Sequence, residues 1–172
     1  MKMKHLLMIL VTLGSALQVA SAQKFGHINS ALIIEMHPKV STANGELEAF
    51  QKSLLDPFEV KAKAFQGKYT TFLEETAAGT LSQVMAETKQ NELRTQQQEL
   101  GEEEQQIQFK ILQKREALLQ PILAEIDSII QAIGKEGKYT MIFDVSVAGA
   151  LLYAEESEDL TEAVKAKCVA KP

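Results

Sequence analysis

Apolar residues along this chain fall into distinct regimes of spacing, and each predicts a different element. Residues 24–34, KFGHINSALII, are apolar enough for a short strand running into a turn of helix. Residues 38–45 read as a loop or a helix entry. From Glu46 the spacing becomes helical. Leu47, Phe50, Leu54, Phe58, Phe65, Tyr69, Phe72 and Thr76 follow three- and four-residue steps, with Ala62 filling the gap. That is the stripe of an amphipathic helix, with Glu48, Lys52, Glu59, Lys63, Lys68 and Glu74 on the solvated side. The stripe stops at 77–82, AAGTLS. There Gly79 supplies the left-handed residue that ends a helix, and Thr80 or Ser82 caps the next one. A second helical run covers 82–133, a rod of roughly 75 Å at 1.5 Å per residue, too long to be the core helix of an ordinary domain.

The second run is uneven. Ala86, Leu93, Leu100 and Ile107 recur at a spacing of seven, while the complementary heptad positions Gln97 and Glu104 are polar. A stable coiled coil wants two apolar residues per heptad, so this seam is thin. Past Ile111 it thickens through Leu112, Leu118, Leu119, Ile122, Leu123, Ile126, Ile129, Ile130 and Ile133. The half near Ile133 is predicted to be buried in a core and the half near Ser82 to be a solvated arm. An antiparallel hairpin turning near residue 79 pairs position i with about 159 minus i. Phe72 then meets the region of Glu87, Phe65 meets Leu93, Phe58 meets Leu100, and Phe50 meets Ile107 or Phe109. On this register Pro57 falls level with Gly101. Proline removes a helical hydrogen bond, and glycine inside a helix costs about 1 kcal/mol relative to alanine. The pair either marks a soft joint or is two independent irregularities. Pro121 is a third kink.

Gly134 and Gly137 are expected to end the long helix. Residues 139–145, YTMIFDV, are strand-like in composition, 146–149 turn, and 150–154 return, which predicts a β-hairpin. Asp159-Leu160-Thr161-Glu162 is a capping box opening a last short helix to about Cys168. An isolated hairpin is marginal in water. Even with 25–34 as a third strand, it makes one small sheet with apolar residues on both faces. The nearest source of cover is other copies of the same chain, joined in a closed symmetric oligomer.

The first residues bear on compartment. MKMKH is followed by the short apolar run LLMILVTLGSAL and by Ala20-Ser21-Ala22. This is the pattern of a secretory signal peptide over 1–22, cleaved before Gln23; the alternative is a retained membrane anchor. No cysteine stands at the cleavage point, which argues against a lipid-anchored start. No other stretch is read as approaching the ~18 apolar residues of a spanning helix. Without Lys2 and Lys4 the chain carries 16 Lys+Arg against 23 Asp+Glu. That acidity argues against nucleic acid and anionic membrane surfaces as partners. The single cysteine, Cys168, cannot form an internal disulfide and is a free thiol or an intermolecular link. No CxxC, HExxH, GxSxG or Walker-type loop occurs, and His27 and His37 have no Cys or second His nearby. The reading is therefore no metal, no cofactor, no catalytic constellation and no enzyme.

Taken together, the signal peptide, the short first strand, the Gln/Glu/Lys-rich helical hairpin, LLQPI at 118–122 and GKYTMIFDVS…LLYAEESEDLTEAV at the end resemble the OmpH/Skp family of periplasmic chaperones. The resemblance spans essentially the whole exported chain and is most specific in its 118–122 and 139–164 segments. It implies a mainly α fold with a small β body: a long antiparallel α-helical hairpin, or tentacle, plus a short β-sheet that trimerises in a jellyfish-like shape. The body would comprise 23–45 and 134–172, and the arm 46–133 with its tip near 78–82. Phe25, Ile28, Tyr139, Met141, Phe143, Val145, Leu151 and Tyr153 would build the trimer body. The implied function is an ATP-independent periplasmic holdase, which keeps unfolded outer-membrane β-barrel proteins from aggregating in a cavity between the arms of a homotrimer. Candidate client contacts are Phe50, Phe58, Phe65, Phe72 and Phe109. The first four alternatively form the hairpin seam, whereas Phe109 lies two residues off it. Gln96, Gln97, Gln98, Gln105, Gln106 and Gln108 offer amides to a client backbone or simply solvate the arm. Pro57 and Gly101 are the candidate hinge. One departure matters: the best-known members have cationic arms, whereas residues 45–133 carry 9 Lys+Arg against 15 Asp+Glu. That argues against lipopolysaccharide binding and leaves apolar contact to dominate. The competing reading is a structural coiled-coil scaffold or spacer of the envelope.

Overall fold

A computed structural model describes residues 23–149 and 151–170. The expected signal peptide, 1–22, lies outside the described residues. The element order is β1 (Phe25–Ile28), α1 (Ser30–Met36), α2 (Pro38–Ala77), α3 (Gln83–Glu136), β2 (Met141–Asp144), a 3-10 turn (Glu156–Glu158) and α4 (Thr161–Ala170). The fold is mainly helical: a long antiparallel hairpin of α2 and α3 rises from a small body with a two-stranded sheet.

Local chemistry explains most boundaries. Asn29 caps α1 by accepting from the backbone N–H of Leu32. His37 caps α2, and Pro38 occupies its first position, where a missing N–H costs nothing. So α2 starts at Pro38 rather than Glu46, and Ala43 in its second turn is buried in the body. At the tip Gly79 takes φ +65, and Ser82 Oγ caps α3 at Met85 N. Gly134 stays inside α3, which ends at Glu136 with Gly137 as cap. Asp159 Oδ1 accepts from Thr161 N at 2.8 Å and opens α4. Both α2 and α3 run unbroken through Pro57 and Pro121.

The expected β-hairpin does not form. β2 pairs instead with β1, in parallel, with Phe25 opposite Met141 and His27 opposite Phe143. Residues 151–154 are not a strand. A parallel pair needs a long crossover, and the arm is that crossover. Its return brings residue 140 beside β1, where Thr140 N donates to Lys24 O at 2.6 Å and Val145 N to Ile28 O at 2.8 Å.

The core lies at the root of the arm. Ile28, Ile33, Ala43, Ile122, Ile126, Ile129, Ile133, Leu160, Val164 and Cys168 form one cluster, with Leu118, Tyr139 and Ile142 packed against it. Beyond it α3 buries only Leu93, Ile107 and Ile111 among the described residues. Asp144 ties β2 to the start of α1 by accepting from Ser30 N at 3.1 Å and Ser30 Oγ at 2.6 Å.

Candidate binding surfaces

Tyr139 organises the body. Its ring sits between Gly26 and Gly137, and a side chain on either glycine would overlap it. Lys138 adopts φ 55, which folds Tyr139 back over the helix end, and Tyr139 N donates to Gly134 O at 2.9 Å. The Lys24 ammonium lies 4.0 Å from the ring centroid, a cation–π contact. The contact with Tyr139 is the main cause that raises the Lys24 pKa above its ordinary value.

Strand alternation then divides the residues expected in a trimer body. Gly26 and Ile28 turn inward, so Ile28 and Tyr139 belong to the chain's own core rather than to an outer face. Phe25, Met141 and Phe143 point outward and stay exposed, and the Phe25 and Phe143 rings lie 6.3 Å apart. Val145 and Leu151 are half-buried. Leu152 and Tyr153 are 95% and 81% exposed. Phe25, His27, Phe143, Leu151, Tyr153 and Glu158 line an open groove on this side. Glu158 Oε2 is buried there without a hydrogen-bond partner among the described residues. Among the described residues β2 pairs only with β1, so its other edge is free.

The arm presents a different surface. Phe50, Phe58, Phe65 and Phe72 are half-buried along the hairpin. Phe72 and Leu93 line one interhelical groove, and Phe65 and Leu100 line the next. Lys61 pairs with Glu103 at 2.7 Å, Lys68 reaches Gln96 at 3.1 Å, and Lys89 pairs with Glu75. These partners correct the expected register: Phe65 meets Leu100, not Leu93. The reason is side-chain direction. Every Cβ leans toward its helix N-terminus, so in an antiparallel pair each residue meets a partner further along the chain than backbone symmetry suggests. Of the two candidate hinge residues, Pro57 shares a groove with Glu99, Glu102, Gln106 and Ile107, and Gly101 is exposed with open space around it.

Phe109 is the exception among the five aromatics, at 60% exposed. The 111–133 part of α3 also departs from expectation. An 18-residue window of α3 is apolar enough, by length and composition alone, to cross a membrane, yet only 22% of it is buried. That part of α3 thus carries more apolar surface than its core contacts use.

At the arm root stands a residue that sequence reasoning set aside. His37 is 3% exposed; its Nδ1 accepts from Lys39 N at 3.3 Å. Its Nε2 lies 3.9 Å from Glu125 Oε2, the same oxygen that Lys39 Nζ holds at 2.6 Å. A histidine directly before a helix-starting proline was the available signal. His27 lies 3.9 Å from Asp159. Among the described residues no group of three His, Cys, Asp or Glu could hold a metal. Cys168 is buried, and burial, with Glu125 adding, pushes its thiol pKa up. Its place in the core fits a structural thiol.

The sequence model of the OmpH-like outer membrane protein family matches residues 24–168. The chain belongs to that family. Its match takes in β1, the whole hairpin, β2 and α4 to Cys168. No curated protein matches the chain. A crystal structure from Caulobacter crescentus CB15, described as an OmpH-like outer membrane chaperone, has the same fold with a TM-score of 0.69. The two chains are 15% identical, over 88% of this chain and 87% of that one. At that identity the OmpH-like fold is what they share, and this chain's surface chemistry is its own.

Proposed function

We propose that this OmpH-like chain is an ATP-independent holdase of the periplasm that keeps unfolded outer-membrane β-barrel proteins from aggregating. Three copies join through the outer sheet face, and their arms bound the space that holds the client. Phe25, Met141, Phe143 and Tyr153 supply the joining face, with the free edge of β2 beside them. A donor from a second copy would satisfy Glu158 Oε2. The observation that carries this reading is the combination, in one chain, of a packed body with an uncovered apolar face and a long arm that has little core of its own. Family membership and the chaperone description of the Caulobacter structure support it.

Holding by such arms needs no fixed chemistry. An unfolded barrel strand exposes alternate apolar side chains and unpaired backbone groups. Many weak contacts on a flexible hairpin capture it without a defined pose, so it leaves without ATP. The acidity of the arm makes lipopolysaccharide a poor ligand. The test is to dilute a urea-unfolded outer-membrane barrel protein into buffer with and without this chain and follow light scattering. Suppressed scattering at an excess of chain is expected. Unchanged scattering, with self-association intact, would leave a scaffold as the better account.

A further inference from the structure

The joint between α1 and α2 is built on a titratable side chain. His37 ends α1, where its N–H donates to Ile34 O at 3.1 Å, and it also caps α2. Because Pro38 has no N–H, the first amide of α2 belongs to Lys39, and it donates to His37 Nδ1 at 3.3 Å. The usual caps are Ser, Thr, Asp and Asn, whose oxygens accept throughout the range around neutral pH. An imidazole nitrogen accepts only while it carries no proton. The hydrogen bond therefore places the ring's single proton on Nε2.

That second nitrogen is buried. The His37 side chain is 1% exposed, and Nε2 has no hydrogen-bond partner among the described residues. Glu125 Oε2 of α3 lies 3.9 Å away, and Lys39 Nζ of α2 holds the same oxygen at 2.6 Å. Other charged groups are few. α1 brings only Glu35, which is exposed. α4 brings Cys168, whose thiol burial pushes toward its neutral form, while Lys165 and Lys167 are held by Glu162 and Glu136. A protonated ring is thus a second cation beside a carboxylate that already has one.

A proton on Nδ1 turns the acceptor into a donor facing the Lys39 N–H, so the cap is lost. It also sets positive charge against the N-terminus of a 40-residue helix, where the macrodipole is already positive. Attraction to Glu125 acts the other way, but its oxygen stands beyond hydrogen-bond distance of Nε2 and is shared with Lys39. The segment at stake fastens α2 to the body: Val40 packs against the core and Ala43 is part of it. α3 is fastened separately, through Ile122, Ile126, Ile129 and Ile133.

We propose that His37 is a pH-sensitive latch at the root of the arm, closed while its imidazole is neutral and opened by protonation. Opening frays 38–46 from the body and leaves the arm carried by α3 alone. The inference is independent of the holdase reading, since it concerns how the arm is attached and not what it holds. Imidazole side chains ordinarily change charge between about pH 5 and 8, which sets the range to probe.

Amide hydrogen exchange of the full-length chain at about pH 7.5 and about pH 5, corrected for the intrinsic exchange rate at each pH, tests the latch. Protection over 38–46 is expected to fall about tenfold in acid, with 122–133 unchanged within about twofold. His37→Asn keeps a capping oxygen that does not titrate and should hold its protection at both pH values. His37→Ala, with no cap, should be poorly protected at both. Glu125→Gln should keep the step, which separates the imidazole from the carboxylate as its source. Nitrogen NMR of the wild-type histidines needs no variant: His37 should carry its proton on Nε2 at the higher pH and be doubly protonated where protection is lost. A flat wild-type profile, a gain of protection in acid, a step that persists in His37→Asn or vanishes in Glu125→Gln, or a His37 ring that stays neutral through the step would each overturn the proposal.

Discussion

Two halves of α3 show how differently one helix is held. Near the body, Ile122, Ile126, Ile129 and Ile133 are buried, and α1 and α4 both pack on the helix. Between 83 and 106 the same helix buries only Leu93 among the described residues and lies against α2 alone. The first half is core and the second is a zipper with few teeth, helped by exposed ion pairs worth less than about 1 kcal/mol each. Stability therefore belongs to the body, while the arm remains free to bend and open locally.

Substitutions can break that contrast. Ile126→Ala should cost about 2–5 kcal/mol in urea unfolding, because it empties a closed core. Leu93→Ala removes a residue of similar size from the thin seam and should cost about 1 kcal/mol, as the helices close on the gap and water reaches it. Equal costs would mean the arm packs as tightly as the body.

Gly26→Val should cost about 2 kcal/mol or more and loosen self-association in sedimentation. An added Cβ lies 2.8 Å from Leu160 Cδ1 and 3.0 Å from the Tyr139 ring. Gly67→Val is the arm counterpart; it meets nothing within 4 Å and should leave self-association unchanged.

Asp144→Ala should cost about 1 kcal/mol at neutral pH by removing the acceptor at Ser30. Burial pushes this carboxyl up, but hydrogen bonds from Ser30 and Ser146 outweigh it and hold the pKa at about 2, against an ordinary 3.8. A depressed folded pKa means the charged form stabilises the fold. That contribution is complete above about pH 4 and disappears as pH falls through about 2. The gap between Asp144→Ala and wild type should narrow over that window in acid unfolding followed by circular dichroism.

Gly101→Ala is the smallest effect, a gain of about 0.5–1 kcal/mol, because the site is helical with open space around it. Combined with Pro57→Ala, it also probes the proposed joint. Tip-to-tip distances by spin labelling should narrow if either residue softens the arm, and unchanged distributions would retire the hinge.

Much of this architecture is legible from local signals. Gly79 and Ser82 mark the tip, the apolar run through Ile122, Ile126, Ile129 and Ile133 marks the core segment, and Asp159 marks the last helix. What escaped was non-local. The strand at 141–144 has the composition of half a hairpin, and nothing near it in sequence reveals that its partner lies over a hundred residues earlier in β1. The hairpin register was off because side chains lean along their helices, which residue counting ignores. Phe109 is legible as off the seam because it lies two residues past Ile107, and it is exposed. His37 was missed because it was weighed as a metal ligand rather than as a cap. Composition alone selects Phe25 and Ile28 alike, and only strand alternation sends Ile28 inward and Phe25 outward.

The body-side half of α3 is a fixed core segment, and the distal half is a compliant arm. Amide hydrogen exchange along α3, with and without an unfolded barrel protein, tests it most directly. Without client, 122–133 should exchange slowly and 83–105 fast; with client, added protection should fall on the arm rather than on 122–133. Uniform slow exchange along the whole helix, or added protection confined to 122–133, would contradict it.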